Sequence, residues 1–245
     1  MDFEIIIDSH THWGPSATMG IEVATHELQR QQRDSGVTHV VIMPFPSTAI
    51  QTNRINDQVL EETARVSNFT PYHYIRENYE DELFDPIPQP YFGGKWHWMR
   101  GVQDSASNYR ILEDAALAPL CEKIRITGKP VIFEEEFEFT RRFVEMFPRL
   151  FFIIPHLGLL GGDSLDFLKA FKKHEHIYFD TALAAEDTIL EFVRSVGAER
   201  VLFGSDVPFG SMKRELSKIL ALPLGRDDKE RILYKNVRDL AHLTL

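Results

Sequence analysis

Eight short runs rich in β-branched and aromatic residues punctuate this chain, and longer amphipathic segments fill most of the gaps between them. The runs are FEIIID (3–8), VTHVVIM (37–43), FTPYHYI (69–75), GGKWHWM (93–99), KPVIFE (129–134), LFFIIPH (150–156), HIYFD (176–180) and RVLFGSD (200–206). Helical periodicity covers roughly 22–35, 53–66, 110–127, 137–147, 164–174, 186–196 and 213–221, with a last helix at about 227–243. The stretch 77–92, ENYEDELFDPIPQPYF, is acidic and proline-rich and reads as a loop over the mouth rather than a crossover helix.

Strands that alternate with helices imply a parallel sheet, because a parallel pair needs a crossover and the helix supplies it. Near-continuous apolar stretches such as VVIM and FFII imply strands buried on both faces. Eight such units in 245 residues predict an α/β fold, a (β/α)8 TIM barrel forming a single domain over residues 1–245. The rival is an open doubly wound sheet, which wants a glycine-rich phosphate turn after the first strand. Histidines stand there instead, and GLLGG (158–162) has its glycines at the wrong spacing.

Charge and composition narrow the partners. The formal net charge of −10 argues against nucleic acid, since phosphate binding needs a basic face. The sole cysteine, Cys121, excludes an intramolecular disulfide, and its neighbours Leu117, Leu120 and Ile124 mark it as a buried helix residue. The opening MDFEIIID has no basic leader region, and no segment has the roughly 18 apolar residues that a membrane span requires. The expectation is a cytoplasmic protein with a small-molecule substrate and no membrane partner. A homo-oligomer is left open.

In a barrel the chemistry sits at the C-terminal strand ends. The first run ends in Asp8, followed by His10 and His12, which share a side because strand residues two apart point the same way. Two such imidazoles can chelate one ion. The eighth run ends in Asp206, suited to metal ligation or general base work. The sixth ends in His156, the fifth in Glu134 ahead of Glu135 and Glu136, and the seventh in Asp180, which could orient a histidine or cap the next turn. Structural polar residues have no reason to gather on one rim, so this convergence predicts a divalent metal site. Mixed nitrogen and oxygen ligands suit Zn²⁺, Mn²⁺, Fe²⁺ or Co²⁺.

The segments IDSHTHWG, GKPVIFE, FPRLFFIIPHLGLLGG, HIYFDTA and RVLFGSDVPFG, in that order, resemble the amidohydrolase superfamily over nearly the whole chain. They are most similar to the branch that includes aminocarboxymuconate-semialdehyde decarboxylase and related metal-dependent hydrolases. The resemblance implies that His10 and His12 are the paired metal ligands. It implies that Asp206 binds metal and handles the proton of the attacking water. His156 would activate water and polarise the substrate, or ligate a second metal. The position of Glu134 is ordinarily a histidine ligand. A glutamate there is a competent ligand that adds negative charge and weakens the metal as a Lewis acid. GGKWHWMRG resembles the family's fourth-strand segment, which makes Lys95 and His97 candidates for substrate contact, with Trp96 and Trp98 on the other side.

The implied function is metal-dependent hydrolysis of an amide, lactone or other ester, with Zn²⁺ the first expectation and Mn²⁺ or Fe²⁺ as alternatives. The first rival is non-oxidative decarboxylation of a small aromatic or unsaturated acid, in which Arg100 and Lys95 would receive the carboxylate. The second is a barrel that binds a ligand without catalysis.

Overall fold

The computed structural model describes residues 3–77, 79 and 84–243. Its eight parallel strands are β1 (Ile7–Pro15), β2 (His39–Pro44), β3 (Phe69–Tyr74), β4 (Gly93–Trp96), β5 (Val131–Phe133), β6 (Phe152–Ile154), β7 (Ile177–Asp180) and β8 (Val201–Leu202). They are hydrogen-bonded in sequence order. Backbone bonds from Ser9 to Phe203, from Asp206 to His10 and from His12 to Val207 (2.8–2.9 Å) close β8 onto β1, which makes the sheet a barrel. The expected (β/α)8 TIM barrel is the fold observed.

The strands alternate as a doubly covered sheet requires. Ile7, Val41, Met43, Tyr72, Ile132, Ile153 and Leu202 point inward and form one buried cluster. Val40, Ile42, Val131, Phe133, Phe152, Ile154 and Val201 point outward and meet the helices in a second. Val237, Leu240 and Leu243 of the C-terminal segment join the inner cluster, so that segment stops the N-terminal end of the barrel with apolar side chains. At the start of β4, a side chain at Gly93 would collide with the Tyr72 ring (2.4 Å), so glycine there lets β3 and β4 pair around a large inward aromatic.

Around the barrel run α1 (Thr25–Ser35), α2 (Arg54–Arg65), α3 (Leu117–Thr127), α4 (Phe137–Met146), α5 (Ser164–Phe171), α6 (Glu186–Val196) and α7 (Met212–Ala221). The C-terminal helical segment spans 226–240, with a π-turn at Arg231–Lys235. None of the described helices is long and apolar enough to cross a membrane.

Three expectations change. The first strand does not stop at Asp8: it shifts register between Asp8 and Thr11 and pairs with β2 as far as Trp13–Pro44, so His10 and His12 lie within it. The helix expected from 110 starts at Leu117, because Tyr109–Glu113 closes as a 3₁₀ turn and Asp114 is extended. The fourth run ends as a strand at Trp96, and Met99–Gly101 pairs with Asp104–Ser107 in an antiparallel hairpin above the mouth. No helix joins β3 to β4 among the described residues. Residues 78 and 80–83 of the expected 77–92 loop lie outside them.

Candidate active site

The first-strand bulge carries both histidines into the barrel mouth. His10 is fully buried and His12 is 4% exposed. Asp206 follows β8 in a left-handed conformation (φ 53°) that an aspartate tolerates but does not favour. Its N–H bonds the His10 carbonyl, and its own carbonyl accepts from Phe209 and Gly210 (2.7 and 3.0 Å). The turn is therefore fixed from both sides. His156 after β6 is also left-handed (φ 54°) and is held by a bond from its N–H to Asp180 Oδ1 (3.1 Å). Two candidate site residues in disfavoured backbone states are a form of strain that accompanies functional geometry.

Three side chains converge. Asp206 Oδ1 lies 3.5 Å from His10 Nε2 and 3.3 Å from His12 Nε2, and one ligand atom from each residue falls within 4.8 Å of the others. His10 Nε2 and Asp206 Oδ1 are buried without a hydrogen-bond partner. Leaving such atoms unsatisfied costs about 1–3 kcal/mol each, so the arrangement asks for a cation between them. Bonds of about 2.0–2.1 Å in a tetrahedral shell put ligand atoms about 3.4 Å apart, which matches the two measured edges. The donor set fits a divalent metal.

The surroundings hold these groups in ligand form. Asp180 Oδ2 accepts a hydrogen bond from His10 Nδ1 (2.9 Å), which fixes the tautomer and turns Nε2 toward Asp206. Asp180 also accepts from the Ala182 N–H (2.9 Å), so it both orients a histidine and caps the turn after β7. Gly204 permits this: a Cβ there would stand 3.1 Å from both Asp180 Oδ1 and His10 Cβ. Burial lowers the pKa of His12, whose ring stacks on Phe45 at 4.6 Å. Burial opposes ionisation of Asp206, but the neighbouring rings of His10, His12 and His156 hold its carboxyl well below the usual range. Burial likewise opposes Asp180, and His10 outweighs it.

The other expected residues divide. His156 Nε2 faces the second oxygen of Asp206, Oδ2, at 3.2 Å. Burial disfavours its charged form, yet Asp206 and Glu134 raise its pKa. Glu134 is not among the three convergent groups. Its Oε2 takes the ammonium of the fully buried Lys95, and its backbone carbonyl takes His97 Nδ1. Burial works against the Glu134 anion, but Lys95, His97 and His156 hold its pKa low. Arg100 sits on the hairpin, 58% exposed and paired with Asp104 at 3.0 Å; the structure does not bring it to this group.

His12, His97 and Glu134 open into a cleft of about 320 Å³ walled by Phe45, Phe209 and the hairpin residues Met99, Val102, Gln103 and Ser105. Residue order alone does not single out that hairpin wall. Its signal is present in GVQDS, a turn composition between Met99 and Ser107 that the helical periodicity from 110 overshadows. A larger cavity of about 540 Å³ lies at the opposite end of the barrel, lined by Phe151, Tyr178, Arg200 and Asp239. None of the buried, unpartnered polar atoms of the described residues lies in it.

Solved structures share the fold. At 13% identity, the 5-carboxyvanillate decarboxylase LigW from Sphingomonas paucimobilis superposes with a TM-score of 0.74, covering 99% of this chain and 100% of that one. A dihydroxybenzoic acid decarboxylase from Polaromonas sp. JS666, with bound manganese and the inhibitor 2-nitroresorcinol, gives 0.72 at 13% identity and 98% coverage of both chains. An amidohydrolase from Burkholderia multivorans with bound zinc gives 0.74 at 13% identity, covering 98% of this chain and 100% of that one. No curated protein matches the sequence. The family model described as Amidohydrolase matches residues 99–240, more than half of the chain, and includes His156, Asp180 and Asp206. This chain belongs to the amidohydrolase family.

Proposed function

We propose that this protein is a metal-dependent hydrolase that cleaves an amide, lactone or other ester of a small molecule. The reading is carried by the buried, unpartnered pair His10 Nε2 and Asp206 Oδ1 at the barrel mouth, with His156 on the other oxygen of the same carboxylate. His10, His12 and Asp206 would hold the ion, Zn²⁺ by the nitrogen and oxygen donor set and the tetrahedral spacing. A bound divalent ion supplies Lewis-acid polarisation of a carbonyl and acidifies a water.

The side chains supply the rest. Asp206 Oδ2, turned from the two histidines, is the atom positioned to take a proton from the attacking water. His156 Nε2, 3.2 Å from it, is placed to donate a hydrogen bond to the oxygen that gains charge as the carbonyl is attacked. Asp206 then returns the proton to the leaving nitrogen or oxygen. Phe45 and Phe209 flank His12 and restrict water on that side. His97 reaches the substrate from the β4 wall of the cleft.

Metal analysis of protein purified without chelator, with hydrolysis of a panel of p-nitrophenyl esters and lactones, tests this. About one ion per chain is expected, together with ester or lactone turnover that is lost in His10→Ala and Asp206→Asn. Full metal content and full activity in either variant would refute the scheme. Metal content far below one per chain, not restored by Zn²⁺ or Mn²⁺, would favour a non-catalytic binding barrel.

A further inference from the structure

Glu134 is the sole residue with a formally charged side chain lining the cleft among the described residues; its neighbours there are neutral, among them Phe45, Met99, Gln103 and Phe209. Lys95, beneath it, is fully buried and directs its ammonium to Glu134 Oε2. Its charge is therefore engaged and shielded from the cleft. Arg100 is outside the cleft and bound to Asp104. The remaining residues of the chain (1, 2, 78, 80–83, 244 and 245) include no lysine or arginine. So no lysine or arginine is free in the cleft among the described residues, and an ion held by His10, His12 and Asp206 would supply its positive charge. The Glu134 side chain keeps 21% of its surface exposed, and Oε1 is not engaged by Lys95.

We propose that Glu134 is a substrate-recognition residue whose free oxygen accepts from an ammonium, amidine or amide N–H of the substrate, so that the site selects acyl compounds that carry such a donor over isosteres that lack it. The inference rests on the hydrolase reading only in naming the bond cleaved; the recognition step needs the cleft alone. Lys95 is the positioning residue. By holding Oε2 it turns the carboxylate toward substrate and away from the three groups that converge on Asp206. A hydrogen bond to a charged acceptor of this kind contributes enough to shift affinity on the order of tenfold.

The test compares benzamidinium with acetophenone, a neutral ligand of similar shape without an N–H, both titrated by ligand-observed NMR into the metal-loaded protein. Alongside runs hydrolysis of two p-nitrophenyl esters of similar shape, glycinate (cationic) and propionate (neutral). The wild type should bind benzamidinium about tenfold more tightly than acetophenone and favour the glycinate over the propionate by kcat/KM, with the difference in KM. In Glu134→Gln that preference should collapse toward unity while metal content stays at the wild-type level. Because Glu134→Gln strands a buried ammonium, the double variant Lys95→Met with Glu134→Gln provides the same comparison in a barrel with no unpaired charge. Tighter acetophenone binding in the wild type, a preference that survives in both variants, or loss of metal from both variants would each overturn the proposal. A benzamidinium preference that depends on Glu134, with no ester cleaved, would remove the hydrolase reading and leave the recognition role standing.

Discussion

On β1, β6, β7 and β8 the mouth holds His10, His12, His156, Asp180 and Asp206; His10, His12 and Asp206 each bring a ligand atom to one point, and His10 Nε2, Asp206 Oδ1 and both ring nitrogens of His156 are buried without a hydrogen-bond partner. On β4 and β5, at the same level, Lys95, His97 and Glu134 bond one another. Both arcs are polar, and both arise at strand ends. One arc leaves coordination capacity unspent, whereas in the other opposite charges have already met. Rim position alone therefore does not identify a ligand. What separates the arcs is whether donor atoms that face one another are left without partners once the barrel closes.

The largest effect should come from the first arc. Asp206→Asn removes a ligand charge and the proton acceptor together, so kcat/KM for any ester turned over should fall by at least about 10³-fold, with zinc content falling in parallel. His10→Ala should match it. Retained metal in Asp206→Asn would shift the centre toward Glu134 and dissolve the contrast between the arcs.

The second arc should respond in stability. Glu134→Gln leaves the Lys95 ammonium buried without its anion, and the expected loss is about 3 kcal/mol by chemical denaturation, at the low end for buried pairs because Glu134 touches solvent. Adding Lys95→Met should recover most of that loss, a coupling that a double-mutant cycle measures directly. Additive losses would mean that the two side chains do not form a closed unit.

A smaller change is expected at the support of the first arc. Asp180→Asn keeps the shape but loses the charge that holds the His10 tautomer. Zinc affinity should drop about 10- to 100-fold, read by competition with a chelator, while the fold persists. Unchanged affinity would show that the β1 bulge alone orients His10.

Much of this was legible from residue order. The alternation of VVIM, VIFE, FFIIPH and YFD with amphipathic segments pointed to the barrel, because inward and outward burial on every strand leaves a continuous apolar run. HTH and GSD marked the convergent residues, since two positions apart on a strand means one side. Pairing across strands was not legible. Lys95 and Glu134 are 39 positions apart, and nothing local reveals that an ammonium from one strand will claim a carboxylate from the next. Arg100 failed to reach the mouth for a similar reason: the hairpin that carries it depends on a turn, and Asp104 is on the returning strand.

The contrast extends one strand further, to β3, where His73 is 5% exposed and serves structure alone. Its Nδ1 bonds the Pro86 carbonyl at 3.0 Å, and its ring meets Tyr91 edge-on, so it ties the loop before β4 to the barrel. Burial pushes its pKa down to about 4 from an ordinary 6.5. The folded state therefore holds neutral His73 where the unfolded chain would protonate it. This contribution to stability is present above pH 6.5 and is lost as pH falls from 6.5 toward about 4, because the unfolded state binds the extra proton. The loss should reach about 1 kcal/mol near pH 5.5. His73→Gln, which can keep a donor to Pro86 but does not titrate, should show a shallower decline in Tm between about pH 7 and pH 5.5 than the wild type. Parallel curves for the two proteins would place the acid sensitivity elsewhere, with the buried carboxylates of the first arc as the next candidates, and would make that arc responsible for stability as well as chemistry.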